Sequence, residues 1–169
     1  DQTLAYAWVS PRGIGPTAWN SEKRHQTQVR RRFMLLGETL DSMRVYDIIR
    51  GVQSLSRLPA LGNVDVQLSA EGSMAVNALY ASLFLPDINN LILTNLPADH
   101  RNGPDYINIS RIGHLAETLA LSLAERSIHL INPAPNFYHY AEAAHQELNW
   151  PTQLTITPSP NPQSQPFIP

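Results

Sequence analysis

The chain has 169 residues, 12 Lys plus Arg, 14 Asp plus Glu and no cysteine. That length suits one domain with a sizeable core, and the absence of thiols excludes disulfides, Cys-type zinc sites, iron–sulfur clusters and a cysteine nucleophile. A formal charge of −2, with 43% hydrophobic and 15% charged residues, excludes a disordered chain and a globally basic polyanion binder.

In chain order, Leu4 to Val9 is an apolar run that enters the Pro/Gly cluster Ser10-Pro11-Arg12-Gly13-Ile14-Gly15-Pro16, the pattern of a buried strand leading into a loop. Thr17 to Arg32 is polar and aperiodic and reads as a surface loop, with a short helix from Arg30 to Thr39. Asp41 then reads as an N-cap or first-turn acid. It opens an amphipathic helix through Met43, Val45, Ile48, Ile49, Val52 and Leu55, closed by Pro59. Val64 to Leu68 alternates and is a strand. Met74 to Phe84 is apolar nearly all round and reads as a buried helix. A strand within Ile88 to Leu96, a helix from His114 to Ala124, a strand from Ser127 to Ile131, a helix from Tyr140 to Asn149 and a strand from Leu154 to Thr157 complete the order. Residues 158–169 are Pro-rich and read as an extended tail behind a single domain of residues 1–157. No apolar run reaches the roughly 18–20 residues of a membrane span.

Strands and helices that alternate in this way predict an α/β fold, a mostly parallel sheet with helices on both faces. Ligands of such sheets bind beyond the carboxyl ends of the strands, so the chemistry is expected in the loops there. The most informative loop is Leu68-Ser69-Ala70-Glu71-Gly72-Ser73-Met74-Ala75, where a strand turns through small residues into a buried helix. That context is a nucleophile elbow, whose tip carries a strained nucleophile and whose next backbone amide helps to bind an oxyanion. Two registers fit. One places Gly72 at the tip, the other Glu71, where a carboxylate nucleophile would be conceivable. Neither places a serine there, and Ser69 and Ser73 flank the turn.

An acid is expected next and a histidine last. The loop after the Ser127–Ile131 strand offers Asn132 and Asn136 but no acid, and no histidine follows Thr155. An asparagine cannot stabilise an imidazolium as a carboxylate does. A relocated set is the alternative, with Ser73 as nucleophile, His100 as base and Asp105 or Asp99 as the orienting acid. His129 alternates within its strand and reads as a packed residue. His139 and His145, with Glu142 between them, lack the i, i+4 spacing of a zinc helix. Pro11-Arg12-Gly13-Ile14-Gly15 lacks the Lys-Ser/Thr and the third glycine of a phosphate loop, so no metal and no cofactor are expected. Residues 1–50 carry eight basic and five acidic side chains, with the excess centred on Lys23, Arg24 and Arg30-Arg31-Arg32. Residues 23–32 are therefore the candidate surface for an interaction module, and without interleaved aromatics they do not read as a nucleic-acid platform.

Three stretches resemble the C-terminal part of α/β-hydrolase domains related to acetyl xylan esterases, especially a divergent planctomycete-type set. They are Trp8 to Pro16, then Arg31 to Asp41 with Arg44-Val45-Tyr46-Asp47, and then Val66 to Phe84 with Leu96 to Asn108. The resemblance implies an esterase or deacetylase scaffold for acylated carbohydrate or small esters, with relatives that are often exported to the periplasm or beyond. It also implies departures: Gly72 stands where the family's serine would be, Asn132 or Asn136 stands near its acid, and its histidine has no match. A degenerate, non-catalytic domain, a pseudoenzyme, is the expectation that follows. A full domain of this kind has about eight strands, so the chain is expected to be its later part, able to pair with an N-terminal half. No signal peptide is visible at Asp1-Gln2-Thr3.

Overall fold

The computed structural model describes residues 5–19, 22–61 and 64–158. Apart from Pro158, the Pro-rich tail lies outside the described residues. The chain divides into two compact units, one holding the residues up to Asn63 with Asp105–Ile107, the other Val64–Pro104 and the residues from Asn108 onward.

The second unit is the α/β part. It runs β1 (Val66–Glu71), α3 (Ser73–Ser82), β2 (Ile88–Thr94), α4 (Ile109–Ile112), α5 (Leu115–Glu125), β3 (Ser127–Ile131), α6 (His139–Leu148) and β4 (Leu154–Thr157). The four strands are all parallel, in the order β1-β2-β3-β4. Parallel neighbours cannot be joined by a hairpin, so each connection crosses over through a helix. Right-handed crossovers between strands in consecutive order place their helices on the same side of a sheet, and here α3 packs on α5 and α5 on α6.

Register fixes which side chains meet these helices. Leu68, Leu91, Ile128 and Leu154 form one row, and Ala70, Leu93, Leu130 and Ile156 the next. The central members Leu91, Leu93, Ile128 and Leu130 are at most 1% exposed. The alternate row Ser69, Ile92, His129 and Thr155 points to the other face and is half-buried to exposed. Helix α3 buries Ala75 to Leu79, Ala81 and Ser82, as its nearly continuous apolar sequence requires. Its one hydroxyl in the core is satisfied: Ser82 Oγ donates to Leu79 O at 2.7 Å and lies 3.0 Å from Ser122 Oγ of α5. Arg126, 4% exposed, donates from its guanidinium to Ser82 O at the end of α3, where a cation meets the negative end of the helix dipole.

The first unit holds α1 (Lys23–Leu35) and α2 (Leu40–Leu55). Thr39 caps α2: its hydroxyl accepts from Ser42 N at 3.0 Å, and Ser42 Oγ accepts from Thr39 N at 3.1 Å. Asp41 is therefore a first-turn acid and not the cap. Helix α1 replaces most of the loop expected over residues 17–32. Its Lys, Arg and Gln residues are strong helix formers, but they carry no apolar period by which the helix could be recognised. The strand expected at Leu4–Val9 is absent over the described residues 5–9. An apolar run becomes a strand only where a neighbour takes its backbone hydrogen bonds. Here Tyr6 and Trp8 stack on each other in the open, 75% and 87% exposed.

The turn after that run is held by charge. Arg12 donates to Asp47 of α2 from its backbone N at 2.9 Å and from Nε at 2.7 Å, with a second guanidinium nitrogen on the other carboxylate oxygen. Arg44 Nε donates to Arg12 O at 3.1 Å and its NH1 to Asp41 Oδ1 at 2.9 Å. Asp41 Oδ2 accepts from Asp105 N at 3.0 Å, and Asp105 is ion-paired with Arg30 of α1. The Pro11–Gly15 turn is thus a clamp on α2.

Two substitutions separate these contributions. Leu130→Ala removes a fully buried side chain from the sheet and is expected to cost about 2–5 kcal/mol in urea unfolding. Asp47→Asn breaks a part-exposed bidentate pair and is expected to cost about 1–2 kcal/mol. The Arg12 guanidinium holds the Asp47 carboxyl below its ordinary value of 3.8. The pair's contribution is therefore complete above that value and is lost as pH falls through the lowered one. Acid unfolding of Asp47→Asn, followed by far-UV circular dichroism, should lack that component.

Candidate functional site

Between the last residue of β1, Glu71, and the first of α3, Ser73, stands a single residue. Gly72 has φ +58° and ψ −128°, a backbone conformation that non-glycine residues adopt only under strain. This is a sharp strand-to-helix turn of the kind the sequence pattern predicts for an elbow, and Gly72 stands at its tip. Of the two sequence registers, the one ending in Ser73-Met74 is realised, and Glu71 belongs to the strand. The tip is held from both sides: Gly72 N donates to Thr94 O of β2 at 2.9 Å, and Gly72 O accepts from Ala75 N at 3.0 Å. A Cβ built on Gly72 meets nothing within 4 Å, so the place a side chain would occupy is open.

The other strand ends repeat the arrangement. Asn95 follows β2 with φ +51° and Asn132 follows β3 with φ +49°. Asn95 N donates to Ile131 O at 2.9 Å and Asn132 N to Thr157 O at 2.8 Å, extending the sheet ladder by one bond each. Their side chains join across the edge: Asn132 Nδ2 donates to Asn95 Oδ1 at 2.6 Å, and Asn95 Nδ2 donates to Glu71 Oε1 at 2.7 Å. This Glu71–Asn95–Asn132 row was not anticipated as a unit. Its signal was an asparagine directly after each of two apolar strands, a residue that tolerates the left-handed conformation better than most. Asn132 occupies the loop in which the acid was expected, and its amide is spent on Asn95. Asn136, four residues on, also has positive φ, and its carbonyl accepts from His139 N.

His100 lies in the loop after β2. Its Nε2 is 3.1 Å from Tyr80 Oη, and Thr118 Oγ1 of α5 lies 3.2 Å from the same phenol oxygen. Tyr80 is seven residues beyond Ser73 on α3, about 10 Å along the helix axis, so His100 is bonded two turns from the elbow. Burial lowers the His100 pKa, and His114 adds to this while Asp99 opposes it. Burial likewise raises the Tyr80 pKa. Asp99 Oδ1 accepts from the backbone amides of Arg101 and Asn102 and so holds its own turn. The Asp105 carboxylate goes to Arg30. His129 Nε2 is 2.8 Å from Thr157 Oγ1, and His145 Nε2 is 2.7 Å from Thr152 O. His139 and Glu142 lie in the first turn of α6. Among the described residues, no three His, Asp or Glu side chains gather to hold a metal ion, and no helix is long and apolar enough to cross a membrane.

Chemically, the turn after β1 carries no side chain at its tip, and the row beside it offers one carboxylate and two amides. The amide of Ser73, after the tip, is the donor an oxyanion would use there.

No family model matches the chain, and no curated protein matches it. Among solved structures, it is similar to a "putative acetyl xylan esterase" from Bacteroides fragilis, with a TM-score of 0.64 and 12% identity. The similarity covers 94% of this chain and 48% of the other, so the chain spans about half the length of that protein. At that identity the likeness is one of fold: four parallel strands interleaved with helices.

Two measurements test the geometry. Gly72→Ala places a Cβ in open space at positive φ and is expected to destabilise by about 1–3 kcal/mol from backbone strain alone. A half-buried histidine with a lowered pKa binds fewer protons folded than unfolded. Stability is then complete above its ordinary value of 6.5 and declines as pH falls below it. Thermal melts of the wild type should lose stability as pH falls below that ordinary value, and His100→Gln should reduce that slope.

Proposed function

We propose that the chain is a degenerate, non-catalytic α/β-hydrolase-like domain that keeps an esterase scaffold without its chemistry. The observation that carries this reading is Gly72, which has the elbow's strained backbone but no side chain to attack with. Supporting it, Asn132 stands in the loop of the acid and donates its amide to Asn95. An amide there cannot stabilise a developing imidazolium. The esterase activity of the neighbouring fold and its acylated-carbohydrate substrates would belong to this chain only under the alternative reading, with Ser73, His100 and Asp105 as a relocated set. The bonds of His100 to Tyr80 and of Asp105 to Arg30 count against that set.

An aryl acetate assay decides between the two. Hydrolysis of 4-nitrophenyl acetate by the purified chain is expected to match the buffer rate, and Ser73→Ala and His100→Ala are expected to leave it unchanged. Turnover above buffer that persists through purification and disappears in Ser73→Ala or Ser69→Ala would overturn the proposal.

A further inference from the structure

Helix α1 is the most highly charged element of the chain. Lys23, Arg24, Arg30, Arg31 and Arg32 place five cations in 13 residues, and no Asp or Glu lies between Lys23 and Leu35. Its inner side is fixed by two apolar residues one turn apart, Val29 and Phe33, the only half-buried positions of the helix. Phe33 stacks on Trp19, with ring centroids 6.2 Å apart and planes 12° from parallel. Arg30 is tied to Asp105.

With that side fixed, the helical period assigns the other one. At 100° per residue, Arg24, Arg31 and Leu35 fall within about 40° of one another, opposite Val29 and Phe33, with Lys23, Thr27 and Met34 on one flank and Gln28 and Arg32 on the other. Among the described residues, no ion pair engages Lys23, Arg24, Arg31 or Arg32. At the C-terminal end of this basic face, three consecutive apolar side chains stand in solvent: Met34 at 49%, Leu35 at 86% and Leu36 at 79% exposure. Cations alone would suit any polyanion. Cations beside an exposed apolar trio suit a surface that is anionic outside and apolar just beneath.

We infer that α1 is a docking surface for an anionic lipid bilayer, with Lys23, Arg24, Arg31 and Arg32 on the headgroups and Met34, Leu35 and Leu36 entering the acyl boundary. The attachment is peripheral. The cations supply long-range attraction that salt screens, and the apolar trio supplies a contact that salt does not weaken. This inference is independent of whether the elbow is catalytic.

Flotation of the purified chain with phosphatidylcholine vesicles, with and without phosphatidylserine, tests it. Binding is expected only to the vesicles that contain phosphatidylserine, and is expected to weaken as sodium chloride is raised. Arg24→Ala/Arg31→Ala/Arg32→Ala is expected to weaken binding at least about tenfold, and Leu35→Ser/Leu36→Ser at least about fivefold. All five positions are exposed, so unchanged circular dichroism is the expected control, and Leu35→Ser/Leu36→Ser stands alone should the arginine variant lose its helix. Equal recovery with both vesicle types would overturn the inference. So would full binding by Leu35→Ser/Leu36→Ser with loss only in the arginine variant, which would mark a purely electrostatic contact, common to any polyanion, with no apolar insertion.

Discussion

Parallel pairing in the four-stranded sheet is the constraint from which the rest of the α/β unit follows. Because β2 runs parallel to both β1 and β3, every link between strands must return the chain to the same end of the sheet, and a helix does this in each case. The carboxyl ends of the strands are thereby gathered along one edge. Gly72, Asn95 and Asn132 stand in that line, each one residue beyond its strand, each at positive φ, each donating its backbone N–H to a residue of the next strand. The elbow, the asparagine row and the place of the expected acid are consequences of one topology.

On the reading proposed above, the same edge explains how a scaffold persists without its chemistry. The elbow's strain is a backbone property, and glycine relieves it where a serine would have to bear it. Asn132 keeps a polar contact across the strand ends through Asn95 and Glu71, and no step of this row requires a proton to move.

In the first unit, α2 buries Val45, Ile48 and Val52, and charge ties its segments together. Arg12 on Asp47, Arg44 on Asp41, and Arg30 on Asp105 tie the Pro11–Gly15 turn, α2, Asp105 and α1 into one network. These pairs join stretches that also carried the family resemblance in the sequence, Pro11-Arg12-Gly13 and Arg44-Val45-Tyr46-Asp47. What read as two separate motifs is one contact. Their cations are spent on carboxylates, which leaves Lys23, Arg24, Arg31 and Arg32 as the cations of α1 without such partners among the described residues.

By itself, the sequence determined what local pattern can determine. Ser127–Ile131 and Leu154–Thr157 were legible to the residue, because alternation between turn signals is a local property. The buried helix α3 was legible from its continuous small and apolar residues. Tertiary structure decided what depends on a partner distant in the chain. It left residues 5–9 without a strand because no ladder takes up their backbone, and it made a helix of residues 23–32, whose polar sequence shows propensity but no period. It placed Gly72 and not Glu71 at the turn between β1 and α3, because Glu71 still pairs with Thr94 of β2 as the last residue of its strand. It also joined Glu71, Asn95 and Asn132, residues 24 and 37 positions apart, which only the parallel register of the sheet brings within hydrogen-bonding distance.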